Sequence, residues 1–137
     1  MIYTFDVSFV SALVIPDEKN PRIEKIRASI NESDGVFVPQ LFWYEIANIF
    51  QNLSRRKRYS YNEVLQFFPF VAAIKLTTDH EKGIAYTQKL LSLCNTYNLS
   101  SYDAAYLELA DRKNAMLCTL DKGLCAAAKK HGIAILK

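Results

Sequence analysis

Apolar positions follow two rhythms along this chain: short unbroken runs, and longer stretches in which they recur every three or four residues. "IYTF", "GVFVP", "AMLCTL" and "IAIL" are runs of the first kind and read as buried strands. Between them lie helices. "VSFVSALVI" is a short buried one, ended by Pro16. "PRIEKIRASINES" carries Ile23, Ile26 and Ile30 on one face, with Pro21 in its first turn. "QLFWYEIANIFQNL" aligns Phe42, Ile46, Ile49, Phe50 and Leu53 on one stripe. Ser60 and Glu63 have the spacing of a capping box opening "YSYNEVLQFFPFVAAI", which Pro69 should bend or shorten. "DHEKGIAYTQKLLSLCNTYN", "SSYDAAYLELADRKN" and "DKGLCAAAKKHG" complete the helices, the last with Gly132 just past its end.

Short apolar strands alternating with helices imply right-handed crossovers. The expected fold class is α/β, a three-layer α/β/α arrangement around a central, mostly parallel sheet covered on both faces. A chain of 137 residues, 50% hydrophobic and 23% charged, fits one domain over residues 1–137. Ligands of open parallel sheets bind outside the carboxyl ends of the strands, so candidate chemistry belongs there.

The formal charge of +3 permits a polyanionic partner without requiring one. Three cysteines, Cys94, Cys118 and Cys125, with no C-x-x-C pair and two distant histidines, argue against disulfides or a zinc site. Cys94 and Cys118 lie in apolar runs, as core cysteines of a reducing compartment do, which points to the cytoplasm. The apolar N-terminus lacks a basic leader and is interrupted by Asp6, a poor signal peptide, and nothing approaches the ~20 apolar residues of a membrane helix.

Four acids stand out. Asp6 and Asp121 each directly follow a strand-like run, which puts both on one edge of a parallel sheet; each is equally suited to cap the helix after it. Asp103 sits three residues after Ser100, the spacing of a capping box, beside an expected buried stripe of Tyr102, Tyr106, Leu107 and Ala110. Glu45 shares a polar stripe with Asn48 and Asn52. If all four converge, their repulsion is roughly 4 kcal/mol per pair at ~4 Å with an effective dielectric near 20, so protons or cations must accompany them. Oxygen ligands alone favour Mg²⁺ or Mn²⁺, and such an ion can activate water against a phosphodiester. Thr119 shares a strand face with Asp121, and Ser8 lies two residues after Asp6; either could orient a ligand or simply suit its element. Arg55, Arg56, Lys57 and Arg58, flanked by Tyr59 and Tyr61, could track RNA phosphates or merely end a helix in solvent. Lys122 follows Asp121 and could meet substrate or neutralise an acid.

These segments, in this order and spacing, resemble the PIN-domain ribonucleases, and among them the VapC-like toxins of toxin-antitoxin pairs. "YTFDVSFVSAL", "VPQLFWYEIANIF", "LSSYDAAYLELA" and "LCTLDKGLCAAAKKHGIAIL" carry the likeness over essentially the whole chain. It implies Asp6, Glu45, Asp103 and Asp121 as metal-binding catalytic carboxylates, with Thr119 and also Ser8 and Asn48 assisting. It further implies Mg²⁺ or Mn²⁺ as cofactor, RNA as substrate, a homodimer, and a cognate antitoxin protein as partner. Many relatives carry another acid shortly after the last motif aspartate; here Lys122, Gly123 and Leu124 follow, which argues against a second, fully occupied metal site. Two readings compete with the nuclease. A phospho-receiver domain would need an acidic pair after the first strand and a late-strand lysine, whereas Phe5 and Val7 flank Asp6 and Lys137 is terminal. A PIN-like scaffold that binds RNA or protein without catalysis would need none of the acids to act.

Overall fold

The computed structural model describes residues 1–136; Lys137, weighed above as a receiver-type lysine, lies outside the described residues. The strands are β1 (Ile2–Phe5), β2 (Gly35–Pro39), β3 (Thr77–Asp79) and β4 (Met116–Cys118). All pair in parallel, in the order β3-β2-β1-β4. Three helices join the second and third strands and two each join the others: α1 (Val7–Val14) and α2 (Pro21–Ser29), then α3 (Leu41–Arg55), α4 (Tyr61–Leu65) and α5 (Phe68–Ala73), then α6 (Ile84–Tyr97) and α7 (Ser101–Arg112). A 3-10 turn at Pro16–Glu18 separates α1 from α2, and α8 (Lys122–His131) follows β4.

The strand order fixes where the helices lie. Connections from β1 to β2 to β3 run one way across the sheet, and the α6–α7 connection returns to the far edge. With right-handed crossovers this places α1 to α5 on one face and α6 to α7 on the other. Contacts of α1 with α2, α3 and α5, and of α7 with α6 and α8, follow that division. The core between the layers is built from Phe5, Val10, Phe42, Leu107, Leu109, Leu117 and Leu124, all fully buried. The order of strand addition reverses between β1 and β4, and the crevice at their carboxyl ends is the switch point where ligands of such sheets bind.

The apolar rhythm located most of these elements, and the differences have local causes. β3 was not anticipated: "TTD" is a three-residue edge strand with no apolar run, and it takes Asp79 from the helix expected to begin there. That helix starts at Ile84, after Gly83 at φ 104°. The helix expected through "YSYNEVLQFFPFVAAI" divides in two, because Pro69 cannot donate within a helix and sits instead in the first turn of α5. The Ser60–Glu63 capping box forms with both bonds. "IAIL" contracts to one parallel bridge, Leu117 to Ile135, held by hydrogen bonds of 2.9 and 3.0 Å. Gly132 ends α8 at φ 87°.

Candidate functional site

Asp6 leaves β1 at the switch point and turns the chain into α1. Its Oδ1 accepts from the Phe9 amide at 2.9 Å and from Ser8 Oγ at 2.7 Å, and Thr119 Oγ1 donates to its Oδ2. Thr119 arrives from the neighbouring β4, so this one hydroxyl ties together the carboxyl ends of both central strands. It also accepts from the Asp121 amide at 2.9 Å, while Ser8 Oγ accepts from Leu120 at 2.9 Å. Asp121 caps α8 through its Oδ1, which accepts from Leu124 at 2.7 Å. Asp6 and Asp121 each cap the helix that follows, and both stand just past the carboxyl ends of the paired central strands β1 and β4. At Gly123 an added Cβ would stand 3.3 Å from Asp121 Oδ1, so a larger residue would crowd that carboxylate.

Glu45 and Asp103 complete the set from two helices. Tyr106, one turn after Asp103 on α7, is buried and donates its hydroxyl to Glu45 Oε1 at 2.6 Å. Sequence reasoning had placed Tyr106 in a buried stripe but gave it no polar role; the partners are 61 residues apart, beyond the reach of any local spacing. Two expectations around Asp103 need correction. The capping box is only half formed: Ser100 Oγ accepts from the Asp103 amide at 3.2 Å, and the Asp103 carboxylate makes no return bond and stays free. Tyr102 is not in the buried stripe but 62% exposed, because it sits 100° around the helix from Asp103 on the solvent side.

Charge links the four acids. Burial pushes the Asp6 carboxyl above the ordinary carboxylate range, against the pull of its three hydrogen bonds, and the Asp121 charge adds to the rise. Glu45 is raised by burial, then by Asp103 and Asp6, with the Tyr106 bond opposing. Asp103 is raised by burial and by Asp121. Burial also pushes the Cys118 thiol up to about 12, as befits an inert core cysteine. Among the described residues no three acid, histidine or cysteine side chains stand close enough to grip an ion as they are. The donor set nonetheless suits a hard cation: every member is a carboxylate, Asp103 accepts no side-chain bond, and Asp6, Glu45 and Asp121 each keep lone pairs that their partners leave unused.

The PIN domain family profile matches residues 3–130. The chain belongs to the PIN-domain family. It is similar to Ribonuclease VapC3 of Pyrobaculum aerophilum, 26% identical over 123 residues, which cover 87% of this chain and 88% of that protein. Its fold is shared with VapBC-1 from nontypeable Haemophilus influenzae, with a TM-score of 0.70 and 12% identity over 100% of this chain and 98% of that one. It is shared as well with VapC20 of Mycobacterium tuberculosis, a Sarcin-Ricin loop cleaving toxin, with a TM-score of 0.61 and 16% identity over 93% and 95% of the two chains.

Within this PIN domain the remaining residues of interest separate. Ser8 joins the acids through Asp6 and Thr119, the latter at 3.4 Å. Asn48 is exposed one turn beyond Glu45 and bonds to none of the acids. Lys122 is exposed in the first turn of α8. The basic segment closes α3 at the far end from Glu45, about 15 Å along the helix from it to Arg55. Arg58 is not available to a phosphate as expected: it pairs with Asp17 and faces Glu18 at 3.9 Å, and Tyr59 donates to Asp17 at 2.8 Å while its ring packs on Phe67. These bonds fasten the end of α3 to the 3-10 turn. Arg55, Arg56 and Lys57 are exposed. No described helix is long and apolar enough to cross a membrane.

Proposed function

We propose that this PIN-domain protein is a divalent-metal-dependent endoribonuclease and the toxin of a toxin-antitoxin pair. The observation that carries the reading is the gathering of Asp6 and Asp121 at the carboxyl ends of β1 and β4, with Glu45 raised by burial and then by Asp103 and Asp6, and Asp103 raised by burial and then by Asp121. Carboxyls held above their usual range by burial and by like charges are groups prepared to give up protons to a cation. Asp6, Glu45, Asp103 and Asp121 would hold Mg²⁺ or Mn²⁺. Such an ion, when bound, supplies an activated water and offsets the negative charge that grows on a phosphodiester under attack.

The chain's own part is orientation. Thr119 and Ser8 fix the Asp6 rotamer, Tyr106 fixes Glu45, and the first turn of α8 fixes Asp121. Lys122 and the basic cluster Arg55, Arg56 and Lys57 serve as phosphate contacts, Lys122 next to the acids and the cluster further along the strand. The similarity to Ribonuclease VapC3 supports RNA as the substrate, the likeness to VapBC-1 suits an antitoxin as partner, and a homodimer is part of the same proposal. A cytoplasmic location suits such a pair. A PIN scaffold that binds without cutting is the competing reading, favoured by the spacing of the acids. Purified protein should cut RNA with Mg²⁺ or Mn²⁺ and stop with EDTA. Manganese titration that detects no binding at millimolar ion, with the fold intact, would establish the scaffold instead. In cells, growth arrest relieved by Asp6→Asn, and by coexpression of the protein encoded next to this one, tests the toxin role.

A further inference from the structure

Of the two tyrosines that flank the basic segment, Tyr59 is committed to Asp17, and Tyr61, 64% exposed, opens α4 beyond the end of α3 that is far from Glu45. A cleft of about 400 Å³ lies at the carboxyl ends of β2 and β3, between the first turns of α3, α6 and α7. Tyr44, Tyr86 and Tyr102 line it with the apolar Leu41 and Leu90, and its charged residues are Lys82, Glu81 and Asp79. Tyr44 is 76% exposed and Tyr102 62%, an unusual display of large rings on ordered helical turns. Both rings are one residue from an acid of the site, Tyr44 before Glu45 and Tyr102 before Asp103, so the cleft and the acids occupy adjoining faces of the same two helix turns. The first turn of α3 is held in place: Trp43 Nε1 donates to Thr78 Oγ1 at 2.8 Å, and Gln40 meets His80 at 3.1 Å.

We infer that this cleft is a nucleobase subsite, which takes an unpaired base of the RNA next to the scissile phosphodiester and stacks it on Tyr44 or Tyr102. The inference rests on the ribonuclease reading above. Without an ion the four acids repel a phosphate backbone, so parts of the nucleotide that carry no charge must add to the affinity that the basic residues supply at this edge of the sheet. Flat rings preset on rigid helices supply it, because every base offers a π-face and loses little entropy against an immobile partner. Of the charged residues lining the cleft, Asp79 is neutralised by Arg112, which leaves Lys82 beside Glu81 as the cation available to a flanking phosphate. Only a base splayed out of its stack can enter, so the cleft selects loops and single strands over duplex.

The test is binding and cleavage of a short, unstructured oligoribonucleotide by the full chain, with binding followed by fluorescence anisotropy in EDTA. Tyr44→Ala and Tyr102→Ala should each weaken binding about 5- to 100-fold, the range for losing one stacked base. Tyr44→Phe and Tyr102→Phe keep the ring and should bind as the wild type does. An abasic site scanned along the oligonucleotide should reduce wild-type affinity at one position next to the cleavage site and have no such effect in the alanine variants. Wild-type protein that binds and cuts RNA alongside alanine variants of equal affinity overturns the subsite and leaves the ribonuclease reading intact. Alanine variants that dissociate a dimer in sedimentation while RNA affinity per chain is unchanged assign the cleft to a second copy and also overturn it. Failure of the wild type either to bind or to cut RNA overturns both.

Discussion

Replacing Tyr106 with phenylalanine removes one oxygen from the middle of the acid site and leaves the ring where it is. That oxygen, on a side chain 1% exposed, donates to Glu45 at 2.6 Å. A hydrogen bond to a charged group contributes about 1.5–3 kcal/mol, and the half-buried position of Glu45, where water screens it, favours the lower end. Unfolding entropy of about 2.1 cal/mol/K per residue amounts to about 0.29 kcal/mol/K for a chain of 137 residues. A loss of about 1.5 kcal/mol then lowers Tm by about 5 °C. The bond also opposes the burial and the charges of Asp103 and Asp6 that push Glu45 up. Without it the proton stays on Glu45 to higher pH. The acid limb of the pH–rate profile should therefore move upward. The sign follows from which form bonds more strongly: the ionised carboxylate accepts the hydroxyl best, so the penalty is full above the Glu45 pKa and shrinks below it. Calorimetry at pH 5 and pH 8, with cleavage rates across the same range, measures both effects. A variant with wild-type Tm at pH 8 and an unmoved acid limb would refute the role given to Tyr106.

Thr119→Val deletes the hydroxyl that joins Asp6 to the Asp121 amide. It should lower stability by about 1–3 kcal/mol in urea unfolding and reduce cleavage sharply, with Thr119→Ser restoring both; equal activity of the valine variant would contradict the positioning. Asp6→Asn should abolish cleavage yet stabilise the metal-free protein at pH 7. A carboxyl whose pKa is raised in the fold is most favourable protonated, so its contribution declines as pH rises through the folded value, a decline that asparagine avoids; the urea midpoint in EDTA measures this, and a less stable variant would count against it. Away from the site, Glu108 is 1% exposed and held by Arg112 at 2.6 Å, with Lys89 at 3.8 Å. Arg112→Met leaves that carboxylate nearly alone and should destabilise by about 3 kcal/mol, whereas a change under 1 kcal/mol would show that Glu108 takes up a proton or finds water instead.

What could be read from the chain follows from how far each signal reaches. Helices with wide apolar stripes, such as α3 with Phe42, Ile46, Phe50 and Leu53, declare themselves within a few turns. An acid directly after an apolar run is placed by topology alone, which is why Asp6 and Asp121 were found together. β3 was invisible because an edge strand of three residues, two of them threonine, has no face to pattern. One capping reading was only half right in a related way: spacing shows that Ser100 can cap α7, but not whether Asp103 answers it, since the alternative is a charge site assembled from three other segments. Arg58 looked free for the same reason. Its partner Asp17 is 41 residues away, and the hydrogen bond of Tyr106 to Glu45 is longer in range still.

The most direct test of the whole account is RNA cleavage by rigorously purified wild-type and Asp103→Asn protein, with Mg²⁺ or Mn²⁺ and then with EDTA. Asp103 is the cleanest probe because its carboxylate makes no structural bond, so the substitution leaves the fold unaltered. The expected result is cleavage by the wild type that requires the ion, and none by the variant, whose Tm in EDTA is no lower than that of the wild type. Cleavage by Asp103→Asn at the wild-type rate, or wild-type cleavage that persists in EDTA, would contradict it.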